Sequence, residues 1–230
     1  PISGAFSGGK LIVVLIITTL MFWLPELAQA VREGESKTDH YEDILGTYLV
    51  KLSALKISEN DSSEAAMLLK ALSDFERIGD HALNILESAE ELKGKNLSLS
   101  DAARHELSVL LRAVEEIVDM TFQAFRDDDL EKAYRVEPLE QVIDDLKEKM
   151  RIHHILRMQQ GSCSIESGFV WSDLLTALER VGDHCSNIAG CIIDLHHHNM
   201  NTHEAIRSVR MENENFDDEY KAYAVKYSLK

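Results

Sequence analysis

Residues 75–85 read FERIGDHALNI and residues 178–188 read LERVGDHCSNI, so the chain carries one peptide twice, 103 residues apart. Between windows 74–85 and 177–188, seven of twelve positions are identical. In the twelve positions upstream, only Leu72 and Leu175 match. Common descent alone leaves similarity scattered along a helix, so similarity confined to one patch points to a shared role for that patch. In each copy Glu, Asp and Asn recur at i, i+4 and i+8: Glu76, Asp80 and Asn84, then Glu179, Asp183 and Asn187. That spacing lines three oxygen-bearing side chains along one side of a helix.

The surrounding sequence is helical in pattern. Leu107, Leu110, Val114, Ile117, Thr121 and Phe125 alternate steps of three and four, as do Trp171, Leu174, Leu178, Val181, Cys185, Ile188, Ile192 and Leu195. Tyr134, Ile143, Leu146 and Met150 mark a helix between them. Breaks are expected at SENDSS (58–63), GKNLSLSD (94–101), FRDDD (125–129) and QQGSCS (159–164). Three helices joined by short turns between 101 and 198 form antiparallel neighbours. Residues 31–93 supply two more in the same order. The expectation is an all-α chain of two tandem three-helix bundles: repeat 1 over 31–100, repeat 2 over 101–200, and a polar tail helix within 201–230. Only three prolines and eleven glycines interrupt the 230 residues, which argues against a sandwich or barrel.

Residues 1–30 stand apart. LIVVLIITTLMFWL (11–24) is apolar on every side but shorter than the roughly 20 residues of a membrane span. Lys10 before it and Ala28-Gln29-Ala30 after it imitate a signal peptide. The reading adopted is a buried or membrane-proximal helix. A formal net charge of −16 excludes nucleic acid as a partner and favours cations. Cys163, Cys185 and Cys191 form no CxxC pair and read as reduced thiols.

The helix before each motif carries its own carboxylate pair, Glu35 with Asp39 and Glu140 with Asp144. Like charges at i, i+4 cost a helix about 0.2–0.5 kcal/mol per pair. Gly79 and Gly182 inside the motif helices add roughly 1 kcal/mol each relative to alanine. A multivalent cation offsets the repulsion, and glycine lets a neighbouring helix, or an ion with its waters, approach the backbone. A lone E-x-x-x-D in so acidic a chain is a solvated face; repetition of the whole string lifts these above that reading. Oxygen donors favour hard ions such as Mg²⁺, Mn²⁺ or Fe. His81 and His184 read as interhelical groups rather than ligands. His196-His197-His198 reads as a helix C-terminus, and Glu137, Glu148, Glu166 and Asp173 as solvated acids.

The doubled E-R-[IV]-G-D-H-x-x-N-I, each copy preceded by an E-x-x-x-D helix, resembles the PhoU family. DHYEDILGTYLVKLS (39–53), GSCSIESG (161–168) and YKAYAVKYSL (220–229) resemble the C-terminal PhoU-like region of bacterial sodium/phosphate cotransporters. The resemblance implies multinuclear iron or zinc on Glu35, Asp39, Glu76, Asp80, Glu140, Asp144, Glu179 and Asp183, with no catalytic residues. It implies regulation of phosphate uptake at the cytosolic face of the bacterial inner membrane, against a transporter domain of the same protein. Phosphate would then be met through bound metal, and a homodimer is compatible. Two alternatives stay open: a free-standing regulator of a phosphate ABC transporter and its sensor kinase, and a di-iron bundle oxidase. The oxidase needs Glu-x-x-His on two helices, which the motif helices lack. The family's first helix is amphipathic, whereas residues 1–24 are uniformly apolar, so the first bundle is expected to be incomplete or joined to an apolar N-terminal helix.

Overall fold

The computed structural model describes residues 25–197 and 215–229, all of it helix and connecting turns. The helices are α1 (Pro25–Ser53), α2 (Glu59–Gly94), α3 (Asp101–Asp127), α4 (Leu130–Gln159), α5 (Ile165–His197) and α6 (Phe216–Lys226). The expected helix at 1–24, His198, and the first part of the tail lie outside the described residues. No helix among the described residues is long and apolar enough to cross a membrane.

Helices α2, α3 and α4 begin where a side chain satisfies free N–H groups of the first turn. Ser58 caps α2 through a capping box, its Oγ accepting from Asp61 N while Asp61 accepts from Ser58 N. Ser100 Oγ accepts from Ala103 N at the start of α3, and Asp129 Oδ1 accepts from Lys132 N at the start of α4. The turns expected at 94–101 and 159–164 fall there, as does the α3–α4 turn at Asp128, whose φ of 52° is left-handed. The first break is displaced. Residues 54–58 make the turn, and the acidic run after Ser58 is the first turn of α2, where its charges face the positive end of the helix dipole.

Helices α3, α4 and α5 form the second bundle, and the apolar stripes read from the sequence fill its core. Helix α1 packs on α2, giving two helices of the first bundle. The most extensive interface joins α2 to α5, the two motif helices, and both halves share one continuous core. Phe75 on α2 closes against Phe122 and Phe125 of α3, with ring centroids 4.9 and 5.0 Å away. At the far end of the second bundle, buried Glu106 of α3 accepts two bonds of 2.9 Å from Arg157 and lies 2.7 Å from His153 Nδ1, both on α4.

One of the acids read as solvated differs from expectation. Glu137 is buried, not solvated, and accepts a hydrogen bond from Ser186 of α5; Glu148, Glu166 and Asp173 are exposed as expected. His196 reaches Asp128 Oδ1, 3.0 Å away in the α3–α4 turn. Among the thiols, Cys185 and Cys191 are buried and free, and burial pushes both up to about 12.

The glycines separate by the space around them. A Cβ on Gly79 would lie 3.8 Å from Thr38, and one on Gly182 3.6 Å from Ile143, both ordinary contacts. A Cβ on Gly168 would lie 2.9 Å from Nε2 of buried His154 and 3.3 Å from Met158 Sδ. Gly79→Ala is therefore expected to stabilise the chain by roughly 0.5–1 kcal/mol through helix propensity. Gly168→Ala is expected to destabilise it by about 1–3 kcal/mol through overpacking. Thermal denaturation of both variants checks this, and a drop for Gly79→Ala as large as that for Gly168→Ala contradicts it.

Candidate metal centre

The motif copies meet each other through their histidines. The rings of His81 and His184 stack 5.4 Å apart with an interplanar angle of 22°. His184 Nδ1 donates to Asp74 Oδ1 at 2.8 Å, and Asn187 Nδ2 donates to the same oxygen at 3.2 Å. Asn84 Nδ2 lies 3.5 Å from His81 Nδ1. The asparagines thus serve this junction, departing from the single row of oxygens read from their spacing. Asp74 has no counterpart, because the motif spacing puts Ala177 in its place. Burial, and then the neighbouring His184, hold the His81 imidazole below its usual range.

The carboxylate pairs sit in two grooves, one between α1 and α2 and the other between α4 and α5. In the first groove, Gly79 faces Thr38 and the backbone of Glu35. Glu35 and Glu76 are half-buried, while Asp39 and Asp80 are exposed at the rim. Burial and then the charges of Asp80 and Asp39 push Glu35 above the ordinary carboxylate range; burial and then Asp80 do the same to Glu76, with a smaller push from Glu42. Among the described residues, no ion pair closes on Glu35, Asp39, Glu76 or Asp80.

In the second groove, Gly182 faces Ile143 and Glu140 Cγ, so Glu140 and the motif helix share one side of the bundle. Here a cation is built in. Lys147 Nζ lies 2.9 Å from Glu179 Oε1 and 3.6 Å from Asp144 Oδ1. Burial alone would lower the Lys147 pKa, but Glu179, Asp144 and Glu148 outweigh it and the net shift is upward. Arg180 Nη1 adds a 3.1 Å contact to Asp183. Burial first, and Glu179 second, still hold the Asp183 carboxyl above its ordinary range.

The spacing that relates Glu35 to Glu140, 105 residues, also relates Glu42 to Lys147. One duplicated position is therefore an added carboxylate in the first half and an ammonium in the second. Laying the two E-x-x-x-D helices over one another would have shown this, but attention to the motif strings alone passed over it.

This contrast tests the donor sets against the metal that the resemblance implies. The first groove gathers hard oxygen donors whose mutual repulsion is offset only by the smaller pull of Arg77 on Glu76, with no ion pair closing on them, which suits a hard multivalent cation. The second offers the same donors with Lys147 already among them, so a metal there must displace an ammonium. No group of three or more His, Cys, Asp or Glu side chains among the described residues is already set for a metal ion, so either set has to draw together to bind one.

Without metal, neutralising Asp80 to Asn is expected to raise the melting temperature by about 1–3 °C, since relief of each like-charge contact contributes a few tenths of a kcal/mol. Lys147→Met should lower stability by about 1–2 kcal/mol, because two half-buried carboxylates lose their partner. Thermal melts of chelator-treated protein read both, and equal, same-sign shifts contradict the assigned asymmetry.

The family model described as the PhoU domain matches residues 25–89 and 107–192. The chain is 33% identical over 131 residues to the phosphate-specific transport system accessory protein PhoU homolog 1 of Thermotoga maritima, an alignment covering 55% of this chain and 53% of that protein. It is 26% identical over 167 residues to the corresponding PhoU homolog of Deinococcus radiodurans, covering 71% and 76%. The chain thus spans about half the length of the first relative and three quarters of the second. In three dimensions it resembles the crystal structure of PhoU from Pseudomonas aeruginosa, with a TM-score of 0.79 over 85% of this chain and 93% of that one. At 23% identity this likeness shows the all-helical fold alone.

Proposed function

Because this chain belongs to the PhoU domain family, we propose that it is a metal-bearing regulator of phosphate transport, a binding protein and not an enzyme. The observation that carries the reading is the pair of carboxylate grooves, α1–α2 and α4–α5, built on the duplicated motif. Glu35, Asp39, Glu76 and Asp80 would hold metal in the first groove, and Glu140, Asp144, Glu179 and Asp183 in the second once Lys147 yields. Iron or zinc fits the resemblance, while manganese or magnesium fits the oxygen donors. Bound metal would supply positive charge to a surface that otherwise repels phosphate and anionic partners. The chain's own residues hold the junction between the grooves in place, where Asp74 fixes His184 and Asn187.

The relatives bear the name of accessory proteins of phosphate-specific transport systems, which favours a separate transporter as partner. Fusion to a sodium/phosphate cotransporter rests on the resemblance of residues 39–53, 161–168 and 220–229 and on the apolar run 11–24, the last of which lies outside the described residues. Regulation by docking requires that the chain contact two transporter states differently.

Complementation tests the function. In a bacterial strain lacking its own PhoU, this chain is expected to restore repression of phosphate uptake at high phosphate. A variant carrying Asp80→Asn and Asp183→Asn, at equal abundance, is expected to leave uptake derepressed. Full repression by the variant would show that the carboxylates are solvated faces without a regulatory role, and no repression by the wild type would reject the reading.

A further inference from the structure

The tail helix α6 lies beyond the residues that the family model matches, yet it is firmly docked on the second bundle. Tyr223 and Tyr227 are 5% and 4% exposed. Tyr220 donates to Asp145 of α4, and Tyr227 donates to Glu116 of α3. Lys226 Nζ lies 2.6 Å from Glu116, and Arg135 Nε lies 3.4 Å from Glu219. Between α6 and the bundle the structure leaves a cavity of about 470 Å³. That volume is within the roughly 300–1,000 Å³ typical of small-molecule sites.

In its lining four cationic side chains meet three carboxylates, the reverse of the balance in the whole chain. Arg112 and Lys132 and Arg135 from the bundle meet Lys226 from α6 in this one cavity, on a chain whose net charge is −16. Arg112 is exposed and donates only to its own helix, Nε to Ser108 O at 3.2 Å; among the described residues no carboxylate pairs with it. Arg135 Nη2 donates to Tyr223 OH at 3.3 Å, so a guanidinium and a phenol are already fixed together on the cavity wall. Guanidinium groups match the planar pairs of oxygens on a phosphate.

The cavity also contains Glu115, Glu116 and Asp119; Glu116 is already engaged by Tyr227 and Lys226, and the carboxylates narrow the ligand rather than abolish it. A carboxylate only accepts hydrogen bonds. Phosphate near neutral pH keeps a P–OH that can donate to such a group, whereas sulfate has no proton to give and meets only repulsion there. Cations mixed with carboxylates therefore attract a protonated oxyanion and reject its unprotonated isostere.

We propose that the cavity between α3, α4 and α6 binds a phosphate group, with Arg112 and Arg135 holding its oxygens, Glu115 accepting from its P–OH, and Lys226 closing over it from the tail helix. The site shares no residue with the carboxylate grooves and operates without metal. It extends the regulatory reading by naming what is sensed, and depends on that reading only for its meaning in the cell, since binding is read on the isolated chain. The source that fits is free inorganic phosphate, which keeps a P–OH throughout the neutral range, whereas the terminal phosphate of a nucleoside triphosphate has largely lost its proton there. A ligand held by residues of both the bundle and α6 tightens the docking of the tail.

Calorimetric titration of the full chain, freed of metal by chelation, tests this with inorganic phosphate, sulfate and ATP as separate probes. Inorganic phosphate is expected to bind at up to millimolar concentrations, with sulfate at least about tenfold weaker and ATP weaker than phosphate. Arg112→Ala is expected to weaken binding about tenfold or more, and this exposed change leaves the fold intact. Glu115→Gln is expected to narrow the gap between phosphate and sulfate. Amide exchange over residues 216–227 should slow at saturation. ATP binding without inorganic phosphate binding would show that the P–OH contact to Glu115 is not what selects the ligand, and overturns the proposal. Binding unchanged in Arg112→Ala, equal affinity for phosphate and sulfate, binding only in metal-loaded protein, or no binding of either phosphate probe overturns the proposal. Failure of the wild-type chain to restore repression of uptake in cells, with phosphate binding intact, would instead reject the regulatory reading and leave this site standing.

Discussion

The packing of α2 against α5 is the constraint from which the rest of the molecule follows. Each is a motif helix, and each would otherwise carry a line of like charges with no large apolar partner. Their mutual burial turns one side of both helices inward, around the stacked His81 and His184 rings and the bonds that Asp74 receives from His184 and Asn187. The acidic sides are thereby turned toward the flanking helices, α1 on one side and α4 on the other. Two grooves result, so the duplication yields two similar donor sets in one connected core.

The two sets have diverged in charge while keeping their geometry. Glu42 stands in the first half where Lys147 stands in the second, and Asp74 in the first where Ala177 stands in the second. A lysine between carboxylates offers a monovalent cation on a flexible stem, and a competing multivalent ion must offset its loss. The first groove has no such occupant and keeps Glu35 and Glu76 under repulsion from Asp80, which both of them face. The duplicated protein therefore presents one groove that demands a counter-charge and one that supplies its own.

Much of this was legible in the sequence. Apolar steps of three and four marked every core face of α3 and α5, because burial on a helix has a period that composition cannot hide. The turns at 94–101 and 159–164 were announced by Gly, Ser and Asn. The α1–α2 turn was misplaced because Asn60, Asp61 and Ser62 look like loop residues, although acids and small polar groups are equally at home in a capped first turn. Glu137 was read as solvated because its partner Ser186 lies on another helix, a pairing that no local pattern records. Gly168 gave no signal for the same reason, since only the fold brings His154 against it. The eight carboxylates were named from their spacing, but the cation between four of them belongs to the neighbouring turn and entered only with the structure.

The most direct test of the asymmetry is a calorimetric metal titration of chelated protein with Zn²⁺ and Mn²⁺. Two classes of site are expected: a tighter one lost in Asp80→Asn, and a weaker one lost in Asp183→Asn and strengthened in Lys147→Met. No binding at all, or a single class indifferent to Asp80, Asp183 and Lys147 alike, would contradict the account that these grooves are built for cations.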